Sequence, residues 1–274
     1  MWIAHVPPYT TADLAHLLRT FRGSPYLQEA VIGKAVGGRN MLLLTITSPA
    51  TPETNKKVVW LMARQHAWEA GTSWVAEGAI RFLLSSHPSA ARIRDEIIFK
   101  IFPMADPDGV ARGGVRFNAH GYDLNRNWDA VNPGLMPEIA AQRQAVLDWA
   151  DAGRRIDLFL TLHNTEGEEY LEAPLAAGGA QVRELAERFS RLLVETTTFN
   201  PTLPTSDSSP KPAQQKPGRM TADQGLFHER GIPAFLIEQM VDFNSRLGHL
   251  PTVEDRLEFG AGLARAMRTS VTAR

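Results

Sequence analysis

Between Lys57 and Ala63 the chain has a short apolar run, Lys-Val-Val-Trp-Leu-Met-Ala, without alternating polar residues. A strand with one face in water alternates apolar and polar residues, so this run predicts a strand that is covered on both faces. A sheet of such strands needs a helical layer on each side. The run therefore favours an α/β protein.

The rest of the chain alternates between strand-like and helix-like segments. Strands are predicted at Met41–Thr47, Ile97–Phe102, Ile156–Leu162 and Pro233–Ile237, and helices at Trp74–Leu84, Ile139–Trp149, Ala180–Val194 and Thr252–Met267. This alternation predicts an α/β fold with a largely parallel or mixed sheet between helical layers. Neither a repeat nor a change of composition marks a second domain, so residues 1–274 are predicted to form one domain.

A proline-rich polar segment from Phe199 to Arg219 interrupts the alternation. Its prolines exclude a helix and its composition is too polar for a strand, which predicts a long surface loop at about residues 199–219. Such a loop is either a mobile insertion or a wall over a functional site, and the sequence favours neither.

Composition excludes several classes of function. The formal net charge is -1, from 29 basic and 30 acidic residues, so the chain lacks the basic excess of a nucleic-acid-binding protein. No apolar run approaches the roughly 20 residues needed to cross a bilayer, and the first residues do not resemble a secretory signal. Because cysteine is absent, disulfides, thiolate metal sites and cysteine nucleophiles are excluded. We therefore expect a cytoplasmic protein without nucleic-acid or membrane partners.

Polar residues at the carboxyl ends of the predicted strands are candidates for a site, because ligands bind at that edge of a parallel sheet. His66 and Glu69 follow the strand that ends at Ala63, His163 follows the strand that ends at Leu162, and Glu238 follows the strand that ends at Ile237. The first three form a His-Glu-His set of the kind that binds catalytic zinc, and Glu238 could accept a proton from a water molecule there. Each histidine alone is more typical of a hydrogen-bonded structural residue.

A second group of polar residues lies between these strands. Residues 107–110 predict a turn; Arg116 follows, and then the polar stretch Asp123-Leu-Asn-Arg-Asn-Trp128. The guanidinium of an arginine can bind a carboxylate through two hydrogen bonds, and an asparagine adds a third donor. The stretch is therefore either an anion site or a solvated loop.

These residues, in this order, resemble the M14 zinc carboxypeptidases, and most closely the cytosolic carboxypeptidase (Nna1-like) branch. The resemblance rests on His66-Ala-Trp-Glu69, Asp106-Pro-Asp-Gly109, Arg116, Asn125-Arg-Asn-Trp128, His163 and Glu238, and extends from about Val6 to Glu238. It implies a three-layer α/β/α sandwich around a mixed, roughly eight-stranded sheet. It also implies one zinc ion per chain, held by His66, Glu69 and His163.

The same resemblance implies the roles of the remaining residues. Glu238 would be the general base, Arg116 would stabilise the oxyanion of the intermediate, and Asn125 with Arg126 would hold the C-terminal carboxylate of the substrate. The pattern departs from the branch at Ala67-Trp68, where Pro-Gly is usual. No tyrosine follows Tyr170, so the tyrosine that covers the substrate in digestive members is missing or replaced, with His228 as a candidate. Members of the branch usually carry an additional N-terminal β-rich domain.

The sequence thus predicts a zinc-dependent metallocarboxypeptidase, expected to be monomeric, that acts on peptide or protein C-termini. Arg219 would favour an acidic terminal residue and Asp223 a basic one, so the substrate preference stays open. One alternative keeps the metal site: a zinc-dependent amidase or deacylase acting on N-acyl amino acids or cell-wall peptides. The other is a non-catalytic module that recognises C-termini, which does not explain the presence of both the ligand set and the base.

Overall fold

The computed structural model describes residues 4–210 and 216–273. Within these residues eight strands form one sheet, in the order β1-β2-β4-β3-β5-β8-β6-β7. The strands are β1 (Leu27–Lys34), β2 (Asn40–Ile46), β3 (Lys57–Met62), β4 (Ile97–Phe102), β5 (Leu158–Thr165), β6 (Tyr170–Ala173), β7 (Ser206–Asp207) and β8 (Ala234–Met240).

The helices are α1 (Thr11–Thr20), α2 (Ala70–Leu84), α3 (Pro88–Glu96), α4 (Pro107–Arg112), α5 (Pro137–Asp151), α6 (Leu175–Thr196), α7 (Ala222–Arg230) and α8 (Val253–Thr272). Helix α1 precedes the first strand, α8 follows the last, and the other helices lie between strands. None of the helices in the described part of the chain combines the length and the apolar character needed to cross a bilayer.

The sheet is mixed, as predicted. Its centre is parallel, because β4, β3, β5 and β8 run in the same direction. Antiparallel pairs lie toward both edges, where β1 and β2 precede β4, and β6 pairs with β8. The central strands are buried almost without interruption, which explains their apolar sequences.

Two apolar cores lie on opposite faces of the sheet. One packs α2, α6 and α8 against it, with Val75, Phe189 and Leu263 among the buried residues. The other packs α5 and α7 against the second face, with Val146 and Leu226 among the buried residues. Each fully buried side chain of this kind contributes roughly 1.5–3 kcal/mol. The predicted α/β/α sandwich around eight strands is therefore confirmed.

Three local predictions differ from the structure. The turn predicted at 107–110 is the start of the short helix α4, because the side chain of Asp106 accepts a hydrogen bond from Gly109 N at 2.8 Å and caps the helix. Strands β5 and β8 are longer than predicted, so His163 and Glu238 lie within their last residues rather than after them. The predicted loop at 199–219 contains β7, and its residues 211–215 lie outside the described residues.

Candidate metal and catalytic site

Two of the predicted metal-binding side chains come from the turn between β3 and α2. The backbone of Arg64 has a φ of +63°, in the left-handed region, which reverses the chain after β3. The buried Arg64 side chain then donates hydrogen bonds from Nε to Ala67 O at 2.9 Å and from Nη1 to Ser73 Oγ at 3.0 Å. These bonds tie the turn to the first residues of α2 and place His66 and Glu69 at the edge of the sheet.

The structure brings His66, Glu69 and His163 together. Their candidate ligand atoms lie within 4.8 Å of one another, and all three side chains are buried. The Nδ1 atom of His66 lies 2.7 Å from Glu69 Oε1, and the Nδ1 atom of His163 lies 3.1 Å from Glu69 Oε2. Both imidazoles therefore direct the same ring nitrogen toward one carboxylate.

The opposite ring nitrogens are held by other side chains. His66 Nε2 lies 3.0 Å from Asp123 Oδ1, and His163 Nε2 lies 3.1 Å from Gln65 Oε1. Gln65 is itself fixed, because its Nε2 donates to Leu124 O at 2.9 Å. Partners of this kind orient histidine ligands and leave the other nitrogen free for a metal.

The residues present fit a zinc ion. The set supplies two imidazole nitrogens and a carboxylate oxygen, which is a donor combination used by catalytic zinc. Glu69 Oε2 is buried and lacks a well-aligned hydrogen bond, so a cation at this position would satisfy it. Although burial opposes its charge, His163 and His66 lower the pKa of Glu69 to about 2, which keeps it ionised as a metal ligand must be.

Glu238 lies beside this set on the neighbouring strand. It pairs in register with His163 of β5 and, on the other side, with Tyr170 of β6. Burial raises the pKa of Glu238 to about 7; the charge of His163 opposes this change and that of Glu69 adds to it. The Oε2 atom of Glu238 has no hydrogen-bond partner among the described residues. A carboxylate with a pKa near neutrality is suited to accept and return a proton.

Arg116 is connected to the metal-binding set through Asp123. Its Nε donates to Asp123 Oδ2 at 2.7 Å, while Asp123 Oδ1 contacts His66, so one carboxylate serves both residues. Burial opposes the charge of Asp123, but the hydrogen bond with His66 and the charges of His66 and Arg116 lower its pKa. The Arg116 side chain is 37% exposed, which leaves its terminal nitrogens accessible.

Asn125 and Arg126 occupy different environments. Asn125 is buried; its Oδ1 accepts from Ala222 N at 2.9 Å, and its Nδ2 lies 3.3 Å from His163 Nε2. Arg126 is half-buried and donates from Nη1 to Asn125 O at 2.7 Å. Asn125 therefore fixes the start of α7 next to His163, and the role of both residues in binding a carboxylate stays a prediction.

Arg219 and Asp223 differ sharply in exposure. Arg219 is exposed, and the residues on either side of it are anchored, because Asp129 accepts hydrogen bonds from Gly218 N at 2.9 Å and from Met220 N at 3.1 Å. Asp223 is not a surface charge: it is fully buried, its Oδ1 accepts from the Thr221 hydroxyl at 2.6 Å, and burial raises its pKa. The selectivity of either residue stays a prediction.

Sequence reasoning missed four residues that shape the site: Gln65, Asp123, Asp129 and Tyr170. The first three lie within or next to the quoted motifs, but only the folded chain shows which atoms they hold. Tyr170 is opposite Glu238 on β6, whereas His228 is exposed in the last turn of α7, away from the carboxyl end of β8. Tyr170 is therefore better placed than His228 to contact a molecule at the site.

A mixed eight-stranded sheet with a buried His-Glu-His set at its edge is an architecture of zinc-dependent hydrolases. The sequence model of the zinc carboxypeptidase family matches residues 18–168, more than half of the chain. The chain belongs to this family. A crystal structure of a metallo-carboxypeptidase from Burkholderia cenocepacia is 28% identical, with a TM-score of 0.82, and the match covers 96% of this chain and 70% of that one.

Curated relatives carry the name cytosolic carboxypeptidase. Cytosolic carboxypeptidase 6 of Mus musculus is 34% identical over 165 residues, which is 58% of this chain and 31% of the relative. Cytosolic carboxypeptidase 2 of Xenopus tropicalis is 33% identical over 185 residues, which is 61% of this chain and 19% of the relative. The chain thus spans less than a third of the length of these relatives.

Proposed function

We propose that this chain is a zinc-dependent metallocarboxypeptidase that removes single residues from the C-terminus of peptides or polypeptide tails. The observation that carries the proposal is the buried His66–Glu69–His163 set with Glu238 beside it. A bound zinc ion would supply Lewis-acid chemistry and lower the pKa of a water molecule. The family membership and the name of the curated relatives support the same activity.

The residues of the chain would divide the remaining tasks. His66, Glu69 and His163 would hold the ion, with Asp123 and Gln65 fixing the two imidazoles. Glu238 would accept a proton at its carboxylate and pass it to the leaving amine, for which a pKa of about 7 is well matched. Arg116 would stabilise the negative charge that develops on the carbonyl oxygen.

Substrate orientation would depend on the segment around Arg126. Asn125 and Arg126 would bind the terminal carboxylate, and Arg219 or Asp223 would select the terminal side chain. The buried position of Asp223 favours a role at the bottom of a pocket, whereas exposed Arg219 would act at its rim. We further propose that residues 1–274 act as one catalytic domain and as a monomer. We also propose a cytoplasmic location, which the name of the curated relatives supports.

The decisive experiment combines a substitution with a substrate panel. We expect Glu238→Gln to lower kcat on a C-terminal peptide panel by roughly 10²–10⁴-fold, because the general base is lost. Zinc content, measured by mass spectrometry, should stay at the wild-type level, and a chelator should abolish wild-type cleavage. Glu187→Gln, on an exposed position of α6, is the control and should leave kcat unchanged.

Two outcomes would reject this proposal. Full activity of Glu238→Gln would remove the assigned base. Cleavage of N-acyl amino acids or cell-wall peptides, with no release of C-terminal residues from the panel, would instead identify a zinc-dependent amidase or deacylase.

A further inference from the structure

A cavity with a volume of about 830 Å³ opens next to the proposed catalytic residues. Much of its lining is apolar and includes Val6, Trp74, Val241 and Leu250. This volume is within the range of small-molecule and peptide pockets. None of the residues proposed to bind the metal, the terminal carboxylate or the transferred proton lines it.

The cavity continues the edge of the sheet where the metal-binding residues lie. Gly71, Glu166 and Val241 line the cavity. They lie two or three positions after Glu69, His163 and Glu238, respectively. The cavity therefore begins where each of these catalytic segments ends.

The cavity and the proposed carboxylate clamp lie on opposite faces of the sheet. Trp74 and Arg256 come from α2 and α8, which pack on one face. Leu124 and Trp128, which flank the clamp residues Asn125 and Arg126, belong to the core on the other face. A peptide whose terminal carboxylate is held by the clamp, with its scissile bond at Glu238, would extend its preceding residues toward the cavity.

Arg256 is the notable polar group of this cavity. It is only 7% exposed, and its Nη2 donates one hydrogen bond, to Met240 O at 2.7 Å. Among the described residues, no carboxylate oxygen lies within 4.0 Å of its guanidinium nitrogens. Burial lowers the pKa of Arg256 to about 10, although the charges of Glu169 and Asp255 oppose this change, so it is charged at neutral pH. A buried arginine is rarely left without an anionic partner.

The guanidinium of Arg256 packs against Gly71, and both residues line the cavity. A methyl group in place of a hydrogen of Gly71 would lie 3.1 Å from Cζ of Arg256 and 2.6 Å from Asn164 Oδ1. The absence of a side chain at Gly71 therefore allows Arg256 to take this position at the wall of the cavity. The nearby start of α8 does not serve an anion, because Thr252 and Asp255 cap it reciprocally.

The charges at the rim restrict the type of anion. Glu166 and Asp242 are exposed and line the cavity, and Glu166 lies 3.5 Å from His5 Nε2. These carboxylates would repel any anion, and a doubly charged phosphate more strongly than a singly charged carboxylate. A single carboxylate on an apolar stem matches both the lining and the bidentate geometry of a guanidinium.

We propose that this cavity is a second anion site, in which Arg256 binds a carboxylate side chain of the substrate upstream of the bond that is cleaved. The assignment of the carboxylate to the substrate rests on the proposed carboxypeptidase function. The site itself is separate from the clamp that holds the terminal carboxylate.

The test uses peptides that all end in the same residue. Each peptide carries either glutamate or glutamine at one of the three positions that precede its last two residues. For the zinc-loaded wild-type chain, kcat/KM should be about tenfold higher with glutamate than with glutamine at one of these positions. Arg256→Gln should reduce this ratio to about one while its kcat/KM on the glutamine peptides stays near the wild-type value. Arg265→Gln, the same change on the same helix but outside the cavity, should keep the wild-type ratio.

A second measurement separates the two sources of a carboxylate and does not require cleavage. Succinate is titrated into wild type, Arg256→Gln, Arg256→Lys and Arg265→Gln by calorimetry, with circular dichroism to confirm that each variant is folded. One outcome is that succinate binds to the wild type and that this binding is lost only in Arg256→Gln, while the wild-type glutamate-to-glutamine ratio of kcat/KM is one. This result would mean that Arg256 binds a free carboxylate and not a side chain of the substrate. No binding and a ratio of one in the wild type, with the neutral peptides still cleaved, would overturn the site. If no peptide is cleaved, the proposed function fails, and the succinate titration alone decides whether Arg256 binds an anion.

Discussion

The two segments that supply the site are built in different ways. The turn from Ala63 to Glu69 joins two regular elements, and a single buried arginine, Arg64, ties it to α2. The segment from Arg116 to Asp129 lies outside the regular helices and strands and is held by side chains that bond to distant backbone, such as Asn125 to Ala222 and Asp129 to Met220. The candidate metal ligands thus depend on the ends of the sheet, whereas the residues proposed to bind the substrate depend on long-range hydrogen bonds.

The largest difference between these segments should appear in stability. We expect Arg64→Met to lower the free energy of unfolding by about 3–5 kcal/mol, because it removes a buried charge next to Glu69 and leaves Ala67 O and Ser73 Oγ without their donor. The matched change in the other segment, Arg126→Met, should cost about 1 kcal/mol or less and should instead raise KM. Urea unfolding and peptide kinetics measure both effects. Equal destabilisation by the two substitutions would contradict the comparison.

A second expectation concerns Asp106, which lies beside the metal-binding turn and donates its backbone N–H to Arg64 O at 3.1 Å. Burial raises the pKa of Asp106 to about 6, from an ordinary value of 3.8, although the hydrogen bond from Gly109 N opposes this change. A raised native pKa means that the folded state loses stability as the pH rises through about 6 and keeps it fully below about 4.

Asp106→Asn should remove this loss. The variant should be more stable than the wild type at pH 8 by up to ~3 kcal/mol, and the advantage should disappear toward pH 4. Urea unfolding of both chains at several pH values measures the difference. Asp148→Asn, on an exposed position of α5, should show no such pH-dependent gain. A constant difference at all pH values would mean that Asp106 does not titrate in this range.

The smallest effect is expected for Asp129, which binds the end of the proline-rich loop. Asp129→Asn removes one of the two carboxylate oxygens that accept from Gly218 N and Met220 N. We expect the free energy of unfolding to fall by about 1 kcal/mol. We also expect kcat/KM to fall about threefold through a higher KM, because Arg219 is held less firmly. Zinc content should not change. Loss of zinc from this variant would show that the two segments are not independent.

The sequence predicted the central strands and the long helices α2, α5, α6 and α8, but not strand β1 or helices α1 and α3. Unbroken apolar runs such as Lys57–Met62 predicted the buried parallel strands, because such runs suit a strand covered on both faces. The helix α4 was mistaken for a turn, since its proline and glycine are typical of both a helix start and a turn. The two-residue strand β7 is too short to leave a pattern in the sequence.

The site was only partly predictable for a related reason. His66, Glu69 and His163 could be found because strand ends and short spacings place them, and the structure brings their side chains together. The bond of Asp123 to both His66 and Arg116 and the complete burial of Asp223 depend on contacts between residues far apart in the chain. The resemblance to a family named the candidate catalytic and binding residues, but it did not show which side chains hold them.

The position of β8 between β5 and β6 affects the order in which the site can assemble during folding. Strands β5 and β6 follow each other in the chain but are not neighbours, because β8 is inserted between them. A chain folded only as far as β5 already contains His66, Glu69 and His163, whereas Glu238 arrives with the last strand, paired with His163 from 75 positions earlier in the sequence. Such long-range pairing forms slowly. The candidate metal-binding set can therefore assemble before β8 is inserted, whereas Glu238, the proposed general base, is in place only when the sheet is complete.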